Sequence, residues 1–188
     1  MIDRFRRFWK FLKEDSWKSW LVSLILMYIF IRFIFFPVLS FAFATPLPMV
    51  VVESCSMYHE QGFEGWWSQN ELWYETEQEI DKVRFEAFPF KNGLNKGDIV
   101  FVSGRGEYHI GDIIVFQSSY TYPLIHRLVH DDPLMTKGDH NPGYLPEEQD
   151  IPEEAVMGRA VMRVPALGWL KLIFFEGFKP SGQRGFCR

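Results

Sequence analysis

From Leu21 to Ala44 the chain reads LVSLILMYIFIRFIFFPVLSFAFA, an apolar run of about 24 residues in which Arg32 is the only charged side chain. At roughly 1.5 Å per helical residue, such a run covers the roughly 30 Å hydrocarbon core of a bilayer. It predicts one transmembrane helix over residues 20–44. The 188-residue chain is thereby divided into a leader at 1–19, the span, and a single domain at 45–188. Arg32 has to snorkel or find a partner at depth, and Pro37 is expected to kink the helix. Ala42-Phe43-Ala44 has the small-x-small form of a leader-peptide cleavage site. The apolar run is nevertheless longer than the core of a cleaved leader, and the basic lead is itself of helix length, so an anchor is expected.

The first twenty residues carry Arg4, Arg6, Arg7, Lys10, Lys13 and Lys18 against Asp3, Glu14 and Asp15, a net of +3, whereas the remainder nets −7. The excess of Lys and Arg before the span predicts a cytoplasmic N-terminus and a C-terminal domain on the outer face of the cell membrane. Phe5, Phe8, Trp9 and Leu12 follow the i, i+3, i+4, i+7 spacing of one helical face, with basic residues beside them. This is the pattern of an amphipathic helix lying on the inner leaflet.

Beyond the span, PLPMVVV at 46–52 reads as an extended exit feeding a strand that leads to ESCSMY. KGDIVFV at 96–102 and GDIIVFQ at 111–117 are each a Gly-Asp turn followed by β-branched and aromatic residues, and their short connection predicts a meander. PLIHRLVH at 123–130, LMTKGDHNP at 134–142 and AVMGRAVMRVP at 155–165 supply further strands, so the domain is expected to be mainly β. Residues 58–95 form an aromatic, acidic insertion with Trp66, Trp67, Trp73 and Tyr74. Two readings of it stand: a hairpin or short helix packed on the domain, or an element dipping into the outer leaflet. The tail segment 166–178 is too short for a second span and reads as a core helix or interfacial segment. Cys55 and Cys187 could form a disulfide in an exported domain, and the spacing of the chain's cysteines and histidines matches no metal site.

Serine is a poor nucleophile unless a base lies within hydrogen-bond reach and donors await the oxyanion. For Ser56 the base could come from His59, His109, His126, His130 or His140. In an alternating strand His126 shares a face with Leu124 and Leu128, which suits either a base or a core histidine with a satisfied partner. Asp139 in TKGDHNP is either an acid behind the imidazole or a turn residue capping backbone amides. Ser54 falls on the side of Ser56 in an extended segment, from which its hydroxyl can donate to an oxyanion beside the Ser56 amide.

ESCSM after a transmembrane helix, then KGDIVFV, IHRLV, TKGDHNP and VMGRAVMRVPALG, resembles in order and character the signature boxes of type I signal peptidases. The likeness runs from about Val50 to Gly168 and leaves out the insertion. His126 stands where bacterial members carry a lysine, so the chain is similar to the archaeal and endoplasmic-reticulum type. The resemblance implies a β domain of coiled antiparallel sheets. It also implies a serine endopeptidase that removes N-terminal signal peptides from exported preproteins after small residues, with Ser56 as nucleophile, His126 as general base, Ser54 as oxyanion donor and Asp139 as orienting acid. Asp150 is the alternative acid. Secretory preproteins, the bilayer and the protein translocation machinery are the implied partners; no cofactor, metal or nucleic acid is implied.

Two residues depart from the family pattern. Cys55 replaces a glycine beside the nucleophile, which would be harmful if a positive φ were needed there. His59 replaces a proline, and three residues along an extended strand it should face away from Ser56. These departures leave a second expectation, a catalytically inactive membrane-anchored β domain that binds or scaffolds exported proteins.

Overall fold

Six β-branched and aromatic runs become the strands of one antiparallel sheet in the computed structural model, which describes residues 2–187. They are β1 (Met49–Val51), β2 (Ile99–Ser103), β3 (Ile113–Phe116), β4 (Leu124–Asp131), β5 (Leu134–Lys137) and β6 (Val156–Val164), in the order β1-β2-β6-β3-β4-β5. The two Gly-Asp strands β2 and β3 are therefore not a hairpin, because β6 lies between them and pairs with both. A local meander was expected from their short connection, but each strand instead pairs with the nine-residue β6, and of the two β3 is the one buried on both faces. All four residues of β3 are buried: Ile113 and Val115 join a core with Val52, Met57 and Val100, while Ile114 and Phe116 join one with Leu128 and Ile151. Period-two alternation splits one strand between two cores.

The insertion is helical. Residues Gly62–Gln78 form a helix, α4, followed by a shorter one, α5 (Lys82–Glu86). Phe63, Trp66, Trp67 and Tyr74 fall at helical spacing on one face of α4 and are buried with Ile80, Phe85 and Val129. These rings pack on the domain. Together with the N-terminal helices they shift the balance of the chain, 42% helical against 18% strand, so the expectation of a mainly β protein gives way to a mixed one. The tail forms α6 (Trp169–Phe175), which buries Leu172 and leaves Leu170, Ile173 and Phe174 exposed.

The chain divides into two compact units, one ending at Ala42 and the other beginning at Phe43. In the first, α1 (Ile2–Leu12) precedes a helix running from Trp17 to Phe43, long and apolar enough to cross a membrane. Its stretches α2 (Trp17–Phe30) and α3 (Phe36–Phe43) are joined by a π turn at Ile31–Phe35. Pro37 explains that turn: its ring crowds the carbonyl one turn earlier and it offers no N–H, so the backbone widens upstream while the helix continues.

Trp66 is 1% exposed and lies at the centre of the aromatic cluster. Trp66→Ala is expected to cost about 3–5 kcal/mol of stability, read by chemical denaturation of the detergent-solubilised protein.

Candidate active site

Ser56 lies in a turn five residues beyond the end of β1, and the segment that carries it is tied down on both flanks. The Val52 N–H donates to the Asp98 carbonyl at 2.9 Å, and the Ser56 carbonyl accepts from the His140 N–H at 2.8 Å. Met57 is wholly buried in the core beneath. Its carbonyl takes the Leu94 N–H, so the Ser56 segment is pinned to the domain by the residue next to it.

Ser56 Oγ lies 2.9 Å from His126 Nε2. His126 sits in β4 opposite Ile114, 2% exposed, and its Nδ1 lies 2.5 Å from Glu148 Oε1. A carboxylate can only accept, so Nδ1 carries the ring proton and Nε2 presents its lone pair to the Ser56 hydroxyl. With the Ser56 hydroxyl proton pointing at Nε2, Ser54 Oγ, 3.1 Å from Ser56 Oγ, is the donor between the two serines. Glu148 is itself fully buried and held: Oε2 accepts the Leu145 N–H at 2.6 Å, and Oε1 the Thr136 hydroxyl at 3.4 Å. A serine hydroxyl, an imidazole and a buried carboxylate behind the ring are thus aligned, in the arrangement of a Ser-His-acid triad.

Neither expected acid occupies that position. Arg127 follows His126 in β4, and alternation sends its side chain to the opposite face of the strand. There Asp139 takes two hydrogen bonds from it, Nε to Oδ1 at 2.9 Å and Nη2 to Oδ2 at 2.8 Å. Asp139 also accepts from Tyr74 and pairs with His59 Nε2 at 2.9 Å. It therefore belongs to a buried ion pair behind the sheet face that carries the histidine. Burial alone would raise its carboxyl, but Arg127 and His59 overcome this and hold it well below the usual carboxylate range. Asp150 is exposed, two residues past Glu148, with a positive φ of 57°. Glu148 did leave a trace in the sequence. Leu-Pro-Glu-Glu places Pro at the first position of a helical turn and a glutamate two residues later, whose carboxylate folds back to the turn's first N–H.

His59 engages Asp139 rather than Ser56 and stacks on Trp66, ring centroids 3.8 Å apart. Its Nδ1 is buried without a hydrogen-bond partner, and burial lowers its affinity for a proton against the pull of Asp139. Cys55 is not in the left-handed region, so the glycine position makes no demand that a side chain cannot meet. It is joined instead to Cys187 by a disulfide. Gly138 does require its small size, since a Cβ there would stand 2.6 Å from Asn141 Nδ2 and 3.0 Å from His126 Nε2. The turn carrying Asp139 closes directly over the His126 ring. Among the described residues no cluster of His, Cys, Asp or Glu is arranged to hold a metal.

Neither a scan of protein-family models nor a comparison with curated proteins finds a match to this chain.

Lys137 borders the ion pair, 1% exposed, with its ammonium 4.7 Å from the Trp73 ring and 3.2 Å from the Gly138 carbonyl. Burial lowers it to about 8, against the raising influence of Asp139 and Glu148. Between about pH 8 and pH 10.5 the unfolded chain holds a proton that the folded one has released, so the Lys137 contribution to stability rises with pH across that window. In Lys137→Met this rise should be missing, and the stability difference between the two proteins, measured by denaturation at a series of pH values, should change in that window only.

Proposed function

We propose that the chain is a membrane-anchored serine endopeptidase that removes N-terminal signal peptides from exported preproteins after small residues. The observation that carries this reading is the line from Ser56 Oγ through His126 to Glu148, with Ser54 beside the nucleophile. Its place in the chain supports the substrate class: the nucleophile lies thirteen residues after a helix long and apolar enough to cross a membrane, in boxes that resemble those of type I signal peptidases. The signal-peptidase-like fold belongs to the same proposal, supported by the single antiparallel sheet whose strands carry or adjoin the boxes.

β1 terminates the sheet, hydrogen-bonded on one side to β2. The residues of the preprotein before the cut add to its outer edge as an extended strand, held by backbone hydrogen bonds. The Ser56 hydroxyl attacks the scissile carbonyl while His126 Nε2 takes its proton. The resulting imidazolium is stabilised by the Glu148 carboxylate at Nδ1. The Ser54 hydroxyl turns from Ser56 Oγ to the oxyanion and acts with the Ser56 amide. His126 passes its proton to the leaving amine, the C–N bond breaks, and the acyl ester on Ser56 remains. Water, deprotonated by His126, then hydrolyses the ester and frees the serine. Nothing in these steps calls on a cofactor.

The same reading sets the N-terminus in the cytoplasm and the catalytic domain on the outer face. The basic leader supports this orientation, and so does the Cys55–Cys187 disulfide, since such bonds persist in oxidising compartments.

Incubation of the solubilised protein with a preprotein carrying an Ala-x-Ala site should release the mature product. Ser56→Ala and His126→Ala should each lose at least about 10³-fold in rate, and Glu148→Gln about 10²- to 10⁴-fold. Asp150→Asn should cleave as the wild type does. Asp139→Asn should instead unfold more easily by about 3–5 kcal/mol, because it strands the buried Arg127. Cleavage that survives Ser56→Ala would overturn the reading. In sealed vesicles, protease added outside the cell-membrane face should digest the domain, and protection of it there would contradict the orientation.

A further inference from the structure

Residues 53–55, which carry one catalytic serine and precede the other, are bound by the C-terminal strap, residues 169–187. Lys179 Nζ donates to the Glu53 carbonyl at 3.0 Å, Lys171 Nζ pairs with the Glu53 carboxylate at 2.8 Å, and Cys55 is covalently joined to Cys187. The strap is itself a built element. Lys96 Nζ, whose side chain is 1% exposed, donates to Glu176 Oε2 at 2.8 Å and to the Gln183 carbonyl at 2.7 Å. Glu176 Oε2 also takes the Gly185 N–H at 2.7 Å, and these contacts, Lys96 foremost, draw its carboxyl down to about 2. The Trp169 ring packs on Phe186 and lies so close to Gly97 that a Cβ there would stand 2.2 Å from the indole. The Gly97 N–H in turn donates to the Val52 carbonyl at 2.8 Å. Strap, turn and nucleophile segment therefore form one closed assembly.

Cys55 is the single residue between Ser54 and Ser56. A rotation about its backbone moves the Ser54 hydroxyl relative to the Ser56 amide, and both must meet one oxyanion. Displacements well under 1 Å at such a point cost catalysis far more than they cost binding. We propose that the C-terminal strap is a positioning element of the catalytic site, with Cys55, Cys187 and Lys179 as positioning residues, so that turnover depends on the oxidised tail. This rests on the hydrolytic reading of Ser56. A dithiol delivers two electrons and two protons to the bond, leaving two thiols here and a cyclic disulfide in the reductant. Of its hold on residues 53–55 the strap then keeps the lysine contacts to Glu53 alone, and those residues gain freedom.

The test compares the full-length solubilised protein oxidised, reduced with dithiothreitol and re-oxidised, together with Cys187→Ser and Lys179→Met. Two readouts are taken: kcat and KM on the Ala-x-Ala preprotein, and amide hydrogen exchange of residues 53–57 against that of α4. Reduction and Cys187→Ser should lower kcat about tenfold or more with KM within about twofold, and re-oxidation should restore it. Exchange at 53–57 should quicken while α4 is unchanged. Lys179→Met keeps the disulfide and should lower kcat about threefold, so it decides the matter if Cys187→Ser does not fold. Unchanged kcat in the reduced protein, or equal losses tracking global unfolding in α4, would overturn the proposal. If the oxidised protein cleaves nothing, the hydrolytic reading fails and exchange alone decides: quickened exchange upholds the strap's grip on the segment, and unchanged exchange removes it.

Discussion

The alternation of β4 governs the site. His126 and Arg127 are adjacent, so a strand that turns one toward Ser56 must turn the other away. On the first face the histidine meets Ser56 and Glu148. On the second, Arg127 meets Asp139 and packs 4.8 Å from the Phe85 ring. The two carboxylates consequently have different work. Glu148 fixes a tautomer, while Asp139 neutralises a wholly buried guanidinium whose remaining donors go to the carbonyls of Pro89, Phe90 and Gly111. Removing Asp139 leaves a charge without its counter-ion in a region lined by aromatic rings, a far larger penalty than the net worth of the pair.

Those two faces are joined by the turn Gly138–Asn141. Asp139 faces the ion pair, the His140 N–H holds the Ser56 carbonyl, and Gly138 brings the backbone against the His126 ring. The Asp139 carbonyl also accepts the Trp66 indole N–H at 2.9 Å, so the helical insertion reaches the site through the same residue. The aromatic cluster thus buttresses the turn that contacts both Ser56 and His126. That connection gives the insertion a structural role without requiring it to meet substrate.

Much of this was legible in the sequence because it is local. Strand runs such as IVFVS and LIHRLVHD declared themselves by β-branched content, and the long apolar run declared a helix long and apolar enough to cross a membrane. Ser54 and Ser56 meet as expected, their hydroxyls 3.1 Å apart, but through a bend and a turn closed by the Tyr58 N–H on the Cys55 carbonyl and not along the extended segment that the sequence suggested. What escaped depends on pairing between distant residues. The insertion of β6 between β2 and β3 is a choice of partners that neither short strand encodes. Glu148 lies 22 positions from His126 and stands in an acidic stretch with Glu147 and Asp150, among which only the three-dimensional turn selects. Asp139 attracted the acid's role because its motif is conspicuous, yet Arg127 in β4 was the sign that it already had a partner. Cys55, unexpected beside a nucleophile, makes sense once Cys187 is brought to it by the strap.

The central claim, that Glu148 holds His126 with its proton on Nδ1 and its lone pair on the nucleophile, is open to direct measurement by NMR of the protein with ¹⁵N-labelled histidine, the His126 signals being identified by their loss in His126→Gln. The account predicts a protonated Nδ1 and a bare Nε2 in the resting protein, a pattern lost in Glu148→Gln and retained in Asp150→Asn. A ring proton found on Nε2, or a tautomer indifferent to Glu148→Gln, would contradict it.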